Sequence, residues 1–361
     1  MKKIYLFMTI ILVVFLSACG TKKETDNSNS NKKSNTTSTS DLNVVTSLED
    51  TITNNTVWCG TFNLVWNDLK ENYIKQDIII NPPKEIVTNL NKATFNKSYL
   101  DENSYYTKFG KQTPALKKEI EENIKKKFNQ TSDILDKFVW EENSDLEFIY
   151  AMLYKKFTFA TPFSQLENKD FNYDEGSYRY FGITKSKRDG ANQVEVLYYD
   201  DYDNNAVKIL TNENDEIILV KSSNNANNFL EIYNNIINKS KTYTEKTLND
   251  VDTLLIPYIK FDTYKEFKEL ENLKIPMANG YEFEIKKAVQ SIKMQLNESG
   301  GDIKSEAAVS GKVNSAYIPE QVIRNFNYNT TFVMFLKEKN MDMPYFAAQI
   351  NDLKLYQKSD K

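Results

Sequence analysis

The chain has 361 residues, with Lys+Arg 46 against Asp+Glu 50 and a formal net charge of -4. This balance carries no electrostatic footprint for nucleic acid. Without a single histidine the chain cannot hold a Ser-His-Asp or Cys-His pair or a His-ligated zinc, while Tyr 22 and Phe 21 supply ample material for a core.

In chain order, Lys2 and Lys3 precede an apolar run from Ile4 to Leu16, interrupted only by the hydroxyl of Thr9. A spanning helix needs about 20 apolar residues, so this run is too short to cross a bilayer. With Leu16-Ser17-Ala18-Cys19-Gly20 behind it, the segment reads as a signal peptide covering 1–18. Cys19 after small residues resembles the lipobox of bacterial lipoproteins. That resemblance implies a lipid such as palmitate on Cys19, and a protein on the extracellular face of a bacterial cell membrane. Thr21 to about Asp41 is Asn, Ser, Thr and Lys, too polar to offset its ordering entropy. Residues 19–55 are therefore expected to be a lipidated cysteine and a disordered tether, with the folded domain at 56–357. With Cys19 lipidated, Cys59 is the only thiol left, which excludes a disulfide framework. Its place between Trp58 and Gly60 suggests a buried structural cysteine.

Phe62 to Tyr73 carries Phe62, Val65, Trp66 and Leu69 at helical spacing. Asp77 to Ile80 is a short extended run, and Glu85 to Asn91 a further turn or two of helix. Pro114 to Phe128 is a charged helix with Pro at its start. Leu146 to Phe159 reads as one buried strand. Gln193 to Tyr199, Ala206 to Leu210 and Glu216 to Lys221 suggest an antiparallel meander. Asn227 to Asn238 is a helix with Phe229, Ile232, Tyr233 and Ile236 on one face. Asp252 to Phe261 is expected as a strand and Tyr264 to Leu273 as a helix. Ile285 to Leu296, Phe332 to Lys337 and Tyr345 to Ile350 are late strands.

Little in this inventory suggests catalysis. Asp200-Asp201 with Asp203, and Glu141-Glu142, stand in polar surroundings that read as solvated turns. Lys117-Lys118 and Lys125-Lys126-Lys127 read as a solvated helix face. No glycine loop cradles phosphate, and no metal site, cofactor or catalytic residue is expected.

The late segments resemble those of the serpin family. Ile285 to Gly300 is similar to the strand and hinge before that family's reactive loop, with Glu298-Ser299-Gly300 matching its Glu-x-Gly hinge. Phe326 to Leu336 resembles its Phe-x-x-x-x-Pro-Phe strand, and Pro344 to Ile350 its final strand. Upstream, Thr131 to Leu135 is similar to a Thr-x-x-Ile turn, and Tyr154 to Phe163 to a Tyr-Phe-Lys-x-x-Trp-x-x-Pro-Phe motif. Leu254 to Phe261 is similar to a Leu-Pro-Lys-Phe strand, and Phe62 to Pro82 to the first helix and Ser-Pro turn. The matches are colinear over roughly 60 to 352. They imply an α+β fold, serpin-like, with a mixed or antiparallel main sheet, packed helices and a small antiparallel β region, reduced in the N-terminal half. Phe159 stands where the family has Trp, Ala151 where it has Asn, and Gln290 where it has His.

The resemblance implies an exposed loop that a protease cleaves and that then inserts into the main sheet. Insertion needs uncharged side chains at alternate positions, because one face enters the core. After Glu298 and Gly300 the inward set is Gly301, Ile303, Ser305, Ala307, Val309 and Gly311, and all the charges (Asp302, Lys304, Glu306, Lys312) fall outward. One buried unpaired charge would cost several kcal/mol. The scissile bond is expected among Lys312, Asn314, Ser315, Ala316 and Tyr317. Two readings follow: a suicide-type inhibitor of serine or cysteine proteases, or a non-inhibitory binding or assembly module of the envelope. The partner is accordingly a target protease or an envelope protein, and the chain is expected to be monomeric. No internal repeat suggests the two lobes of a solute-binding lipoprotein.

Overall fold

The computed structural model describes residues 42–174, 176–222, 226–301 and 323–357. Cys19 lies outside them, as do Ile303, Ser305, Ala307 and the scissile candidates Lys312, Asn314, Ser315, Ala316 and Tyr317.

The first strand, β1 (Asn43–Val45), pairs in parallel with β2 (Thr56–Cys59). Val44 and Leu48 are buried, so residues 42–55, given to the tether on composition, belong to the fold. Their apolar residues are few but placed where β2 needs a neighbour. Helix α1 (Thr61–Asp68) follows and widens into a π-helical turn over Leu69–Ile74. Then come α2 (Glu85–Asn91) and β3 (Tyr105–Lys111). Asp77 to Ile80 is extended in a loop, without a ladder partner among the described residues.

Helix α3 (Pro114–Phe128) has the predicted bounds. The Thr113 side chain accepts from the Leu116 N–H, Pro114 opens the first turn, and Asn129 ends the helix in the left-handed region. Leu116, Ile120, Ile124 and Phe128 recur every four residues and bury one stripe against Leu135, Phe148 and Tyr150. The expected strand at 146–159 is two pieces, β4 (Glu147–Leu153) and β5 (Phe157–Thr158). The break falls at Lys155, whose ammonium is drawn into a buried charge cluster described below. Along β4 the faces alternate. Phe148 and Tyr150 lie under α3, while Ile149, Ala151 and Leu153 pack against the main core.

Next along the chain are β6 (Ser164–Gln165), β7 (Tyr180–Ile183) and the meander β8 (Val194–Asp201), β9 (Asn204–Leu210) and β10 (Asp215–Lys221). The meander is antiparallel, as expected. Helix α4 (Phe229–Thr242), capped by Asn228, buries Phe229, Ile232, Tyr233 and Ile236. The expected strand at 252–261 divides at Tyr258 into β11 (Thr253–Pro257) and β12 (Ile259–Glu266), which join different sheets. The expected helix at Tyr264–Leu273 is absent. Tyr264, Lys265 and Glu266 extend β12 by pairing with Ser291, Gln290 and Val289, and Phe267 and Leu270 are buried from a turn. Cross-strand pairing overrides the local helical spacing there.

The remaining strands are β13 (Lys274–Pro276), β14 (Glu282–Glu284), β15 (Val289–Leu296), β16 (Gly300–Gly301), β17 (Asn325–Asn327), β18 (Phe332–Glu338) and β19 (Phe346–Ile350). A seven-stranded mixed sheet runs β1-β2-β19-β18-β10-β9-β8, and a four-stranded sheet runs β17-β11-β7-β6. Two separate ladders, β3–β4 and β12–β15, complete the part that concerns the loop. Among the described residues no ladder joins β4 to β15. This break in pairing between the two ladders, seen among the described residues, is the gap.

Candidate functional site

The site is the head of that gap, where the segment after β15 turns back. The N–H of Asn297 donates to the Gly300 carbonyl at 2.9 Å, and the Gly300 N–H donates to the Asn297 carbonyl at 3.1 Å. This tight turn reverses the chain. Gly300 then pairs antiparallel with Thr158, and Gly301 with Phe157. Gly300 has φ +115, and a Cβ there would lie 2.5 Å from the Phe157 carbonyl oxygen, so only glycine fits. A Cβ on Gly301 would meet the Phe157 ring at 3.2 Å and the Gln295 carbonyl oxygen at 3.3 Å. Gly301 therefore lies between β5 and the end of β15.

The register also fixes which face looks inward. Gly301 is paired with Phe157, which is buried in the main core. Directly opposed residues in a ladder point to the same side. This is the parity that the sequence pattern gives to Gly301; the later members of that inward set lie outside the described residues.

The turn is held from outside by Glu298. Its carboxylate accepts from the Tyr258 hydroxyl at 2.6 Å and from Gln165 Nε2 at 2.7 Å. Burial of Glu298 works against its charge, but the bonds from Tyr258 and Gln165 and the nearby Arg179 outweigh it, and the carboxyl is held below its usual range. Burial and the bond to Glu298 push the Tyr258 phenol up. Backbone bonds complete the joint: the Phe159 N–H donates to the Ser299 carbonyl at 3.0 Å, and the Phe163 N–H to the Glu298 carbonyl at 2.9 Å. Phe159 is buried and meets Phe163 edge-on at 4.9 Å. On the far side of β5, Glu213 accepts from the Thr158 N–H at 2.6 Å and from its hydroxyl at 3.1 Å.

Below this joint lies a buried charge cluster. Lys155 Nζ is 2.5 Å from Glu338 Oε1 and 3.2 Å from Asp215 Oδ1. Glu338 also accepts from the Asp101 N–H and, at 3.1 Å, from the Ser104 hydroxyl. Glu338 is thus fully solvated by protein donors. Asp215 is not: burial pushes its carboxyl up despite Lys155 and Tyr345. On β15, Gln290 donates to the Cys59 carbonyl at 3.0 Å and to the Thr61 hydroxyl at 2.7 Å. The Cys59 thiol is buried, and burial pushes its pKa up, as suits a structural cysteine.

The far stem of the loop ends in a second anchor. Arg324, buried, reaches Asp252 through Nε at 3.1 Å and Nη2 at 2.7 Å. Its guanidinium also donates to the Tyr243 hydroxyl and to the carbonyls of Glu245 and Thr247. Arg188 holds the same segment through the carbonyls of Asp252 and Asn249.

Of the residues singled out by sequence, Glu298, Gly300 and Gly301 come together here. Tyr258, Gln165, Lys155 with its carboxylates, and Arg324 were not foreseen. A signal existed for the last: the chain holds only three arginines, Arg179, Arg188 and Arg324, among its many lysines. A planar fork is retained where several carbonyls must be met at once. Among the described residues no group of three His, Cys, Asp or Glu side chains could hold a metal ion.

No protein-family model matches the sequence, and no curated protein does. Solved structures do match. Maspin aligns with a TM-score of 0.51 at 12% identity, covering 82% of this chain and 92% of its own. Serpin48 of the insect Tenebrio molitor gives a TM-score of 0.45 at 14% identity, covering 84% and 93%. Human thyroxine-binding globulin gives 0.48 at 9% identity, covering 82% and 91%. The chain has a serpin-like α+β fold.

Proposed function

We propose that this is a lipid-anchored surface protein whose serpin-like domain traps serine or cysteine proteases through the loop between Gly301 and Arg324. The observation that carries the reading is the pairing of Gly300 and Gly301 with β5 beside the end of β15, at the head of an unpaired gap. A strand antiparallel to β5 begins there with Gly300 and Gly301.

The chemistry belongs to the target. Its nucleophile adds to the carbonyl of one loop residue, the peptide C–N bond breaks, and the amine leaves protonated on the far fragment. The ester or thioester then joins the protease to the near fragment, which runs back to Gly301. Advance of that fragment into the gap carries the acyl-enzyme with it and distorts it before water can attack. No residue of the inhibitor acts as acid, base or nucleophile. Lipid on Cys19 would hold the trap at high local concentration near the envelope.

The test is incubation with trypsin-like, chymotrypsin-like and papain-like proteases. A complex that survives boiling in detergent supports the reading; simple turnover of the loop with full protease activity removes it. Replacing Cys19 by Ala and following palmitate incorporation tests the anchor separately.

A second reading, a non-inhibitory binding module, is favoured by one observation. Were the register at Gly301 to continue, the next inward position would fall opposite Lys155, whose ammonium is committed to buried carboxylates. Heating after loop nicking separates the two: an inserting loop raises the melting temperature markedly, and a passive one leaves it unchanged.

A further inference from the structure

The two ladders flanking the gap are bridged on their outer side by residues 132–138, which connect α3 to β4. The attachments at the two ends differ in kind. On the β4 side they are apolar, with one ionic contact beside them, Asp136 to Lys117 of α3 at 2.6 Å. Leu135 is buried, Phe138 and Trp140 meet the Phe148 ring edge-on at 4.9 and 4.8 Å, and Trp140 Nε1 donates to the Leu135 carbonyl at 2.9 Å. On the β12–β15 side they are ionic and exposed. Lys293, on β15, lies 2.8 Å from Asp133 and 3.2 Å from Asp262, all of them about half exposed or more. Lys287 donates to the Lys137 carbonyl at 3.2 Å and pairs with Glu266 at the same distance. Lys287 also stands over the Phe138 ring, and Lys137 over the Tyr264 ring, each at 5.5 Å.

We propose that residues 132–138 act as a salt-released bolt between the two ladders. Dissolved salt removes the whole attachment at one end only, because the other keeps its apolar contacts when the Asp136–Lys117 pair is screened. Exposed pairs are screened once the Debye length falls from about 10 Å at 0.1 M to about 3 Å at 1 M, while apolar contacts are undiminished. The bolt therefore lets go of β12–β15 and stays on β4. Its release uncovers the outer face of the gap without disturbing α3. The claim concerns the resting domain and does not depend on protease inhibition.

Hydrogen exchange on the full chain tests it at 20 mM and 1 M NaCl. Amides in peptides covering 132–138 and 289–296 should exchange about two- to fivefold faster in high salt, the ratio an exposed ion pair supports. Amides of α3 should not change. Lys293→Met should exchange fast at both salt concentrations. Asp133→Asn combined with Lys293→Met should show no more effect than either alone, and their coupling should vanish at 1 M NaCl. Uniform acceleration that includes α3, the same rates at both concentrations, or a Lys293→Met variant with undiminished salt response would each overturn the proposal.

Discussion

Replacing Lys155 by Met tests the energetic picture of the gap head most directly. The side chains of Asp215 and Glu338 are 3% and 0% exposed, so removing the ammonium leaves two buried carboxylates without a cation. Breaking a buried pair in this way costs about 3–5 kcal/mol. Glu338 keeps its donors at Asp101 and Ser104, so the lower end applies, about 3 kcal/mol. The companion change, Asp215→Asn, works in the opposite sense. The Asp215 carboxyl is pushed up by burial, so the folded state binds its proton more tightly than the unfolded chain does. Ionising it costs stability, and that cost is relieved as pH falls through its folded value. Asp215→Asn, which leaves one cation facing one carboxylate, should therefore stabilise the domain at pH 7. Its advantage should shrink on acidification. Urea unfolding followed by circular dichroism at pH 7 and pH 4 reads both effects. A Lys155→Met midpoint within error of wild type, or an Asp215→Asn advantage that grows toward pH 4, would refute the reasoning.

Gly300→Ala introduces a Cβ 2.5 Å from the Phe157 carbonyl oxygen, at a backbone strain of about 1–3 kcal/mol. The joint can relieve this by releasing β16, so the Phe159 amide should lose exchange protection while the urea midpoint barely moves; a protected Phe159 amide would argue against the ladder. Arg324→Lys keeps the charge but loses the fork to Asp252, and should cost about 1.5–3 kcal/mol by urea unfolding; a loss no larger than that of a surface lysine would show the clamp to be idle. The depressed Glu298 carboxyl gives its joint a contribution that is present above the ordinary glutamate value, about 4.3, and is lost as pH falls through its lower folded value. Exchange at the Phe163 amide, bonded to the Glu298 carbonyl, should accelerate across that acid window in wild type. It should already be faster at pH 6 in Tyr258→Phe, and equal rates in the two proteins would remove Tyr258 from the joint.

What the sequence revealed divides along the line between local and distant causes. α3 was legible to the residue because Thr113, Pro114 and Asn129 are local start and stop signals. The buried face of α4 followed from spacing, and the meander from its turns. Failures arose where a distant partner decided. Phe267, Leu270 and Leu273 sit at helical spacing, but the eight-pair ladder between β12 and β15 claims the residues just before them. Lys155-Lys156 looks like an ordinary solvated pair, and only the folded chain brings Asp215 and Glu338 to it. Gly300 and Gly301 were singled out by resemblance. Their partner Thr158 was not, nor was the Tyr258 hydroxyl that holds Glu298.

Register arithmetic connects these parts. Continued from Gly301 opposite Phe157, a strand would bring position 303 opposite Lys155 and position 311 opposite Glu147, the foot of β4. That advance covers ten residues, roughly 34 Å at strand rise. While the loop is intact, such a strand would leave residues 312–323 to run back to Arg324, and twelve residues reach about 40 Å when fully extended. An uncut loop that filled the gap would have to spend these residues on a return limb, and ordering them would cost chain entropy. Cutting anywhere from Lys312 to Tyr317 removes the return limb and leaves the complete inward set on the near fragment. On the proposed reading, the scissile candidates are the positions at which scission would free a full-length strand, and Arg324 is where the intact loop rejoins the described fold.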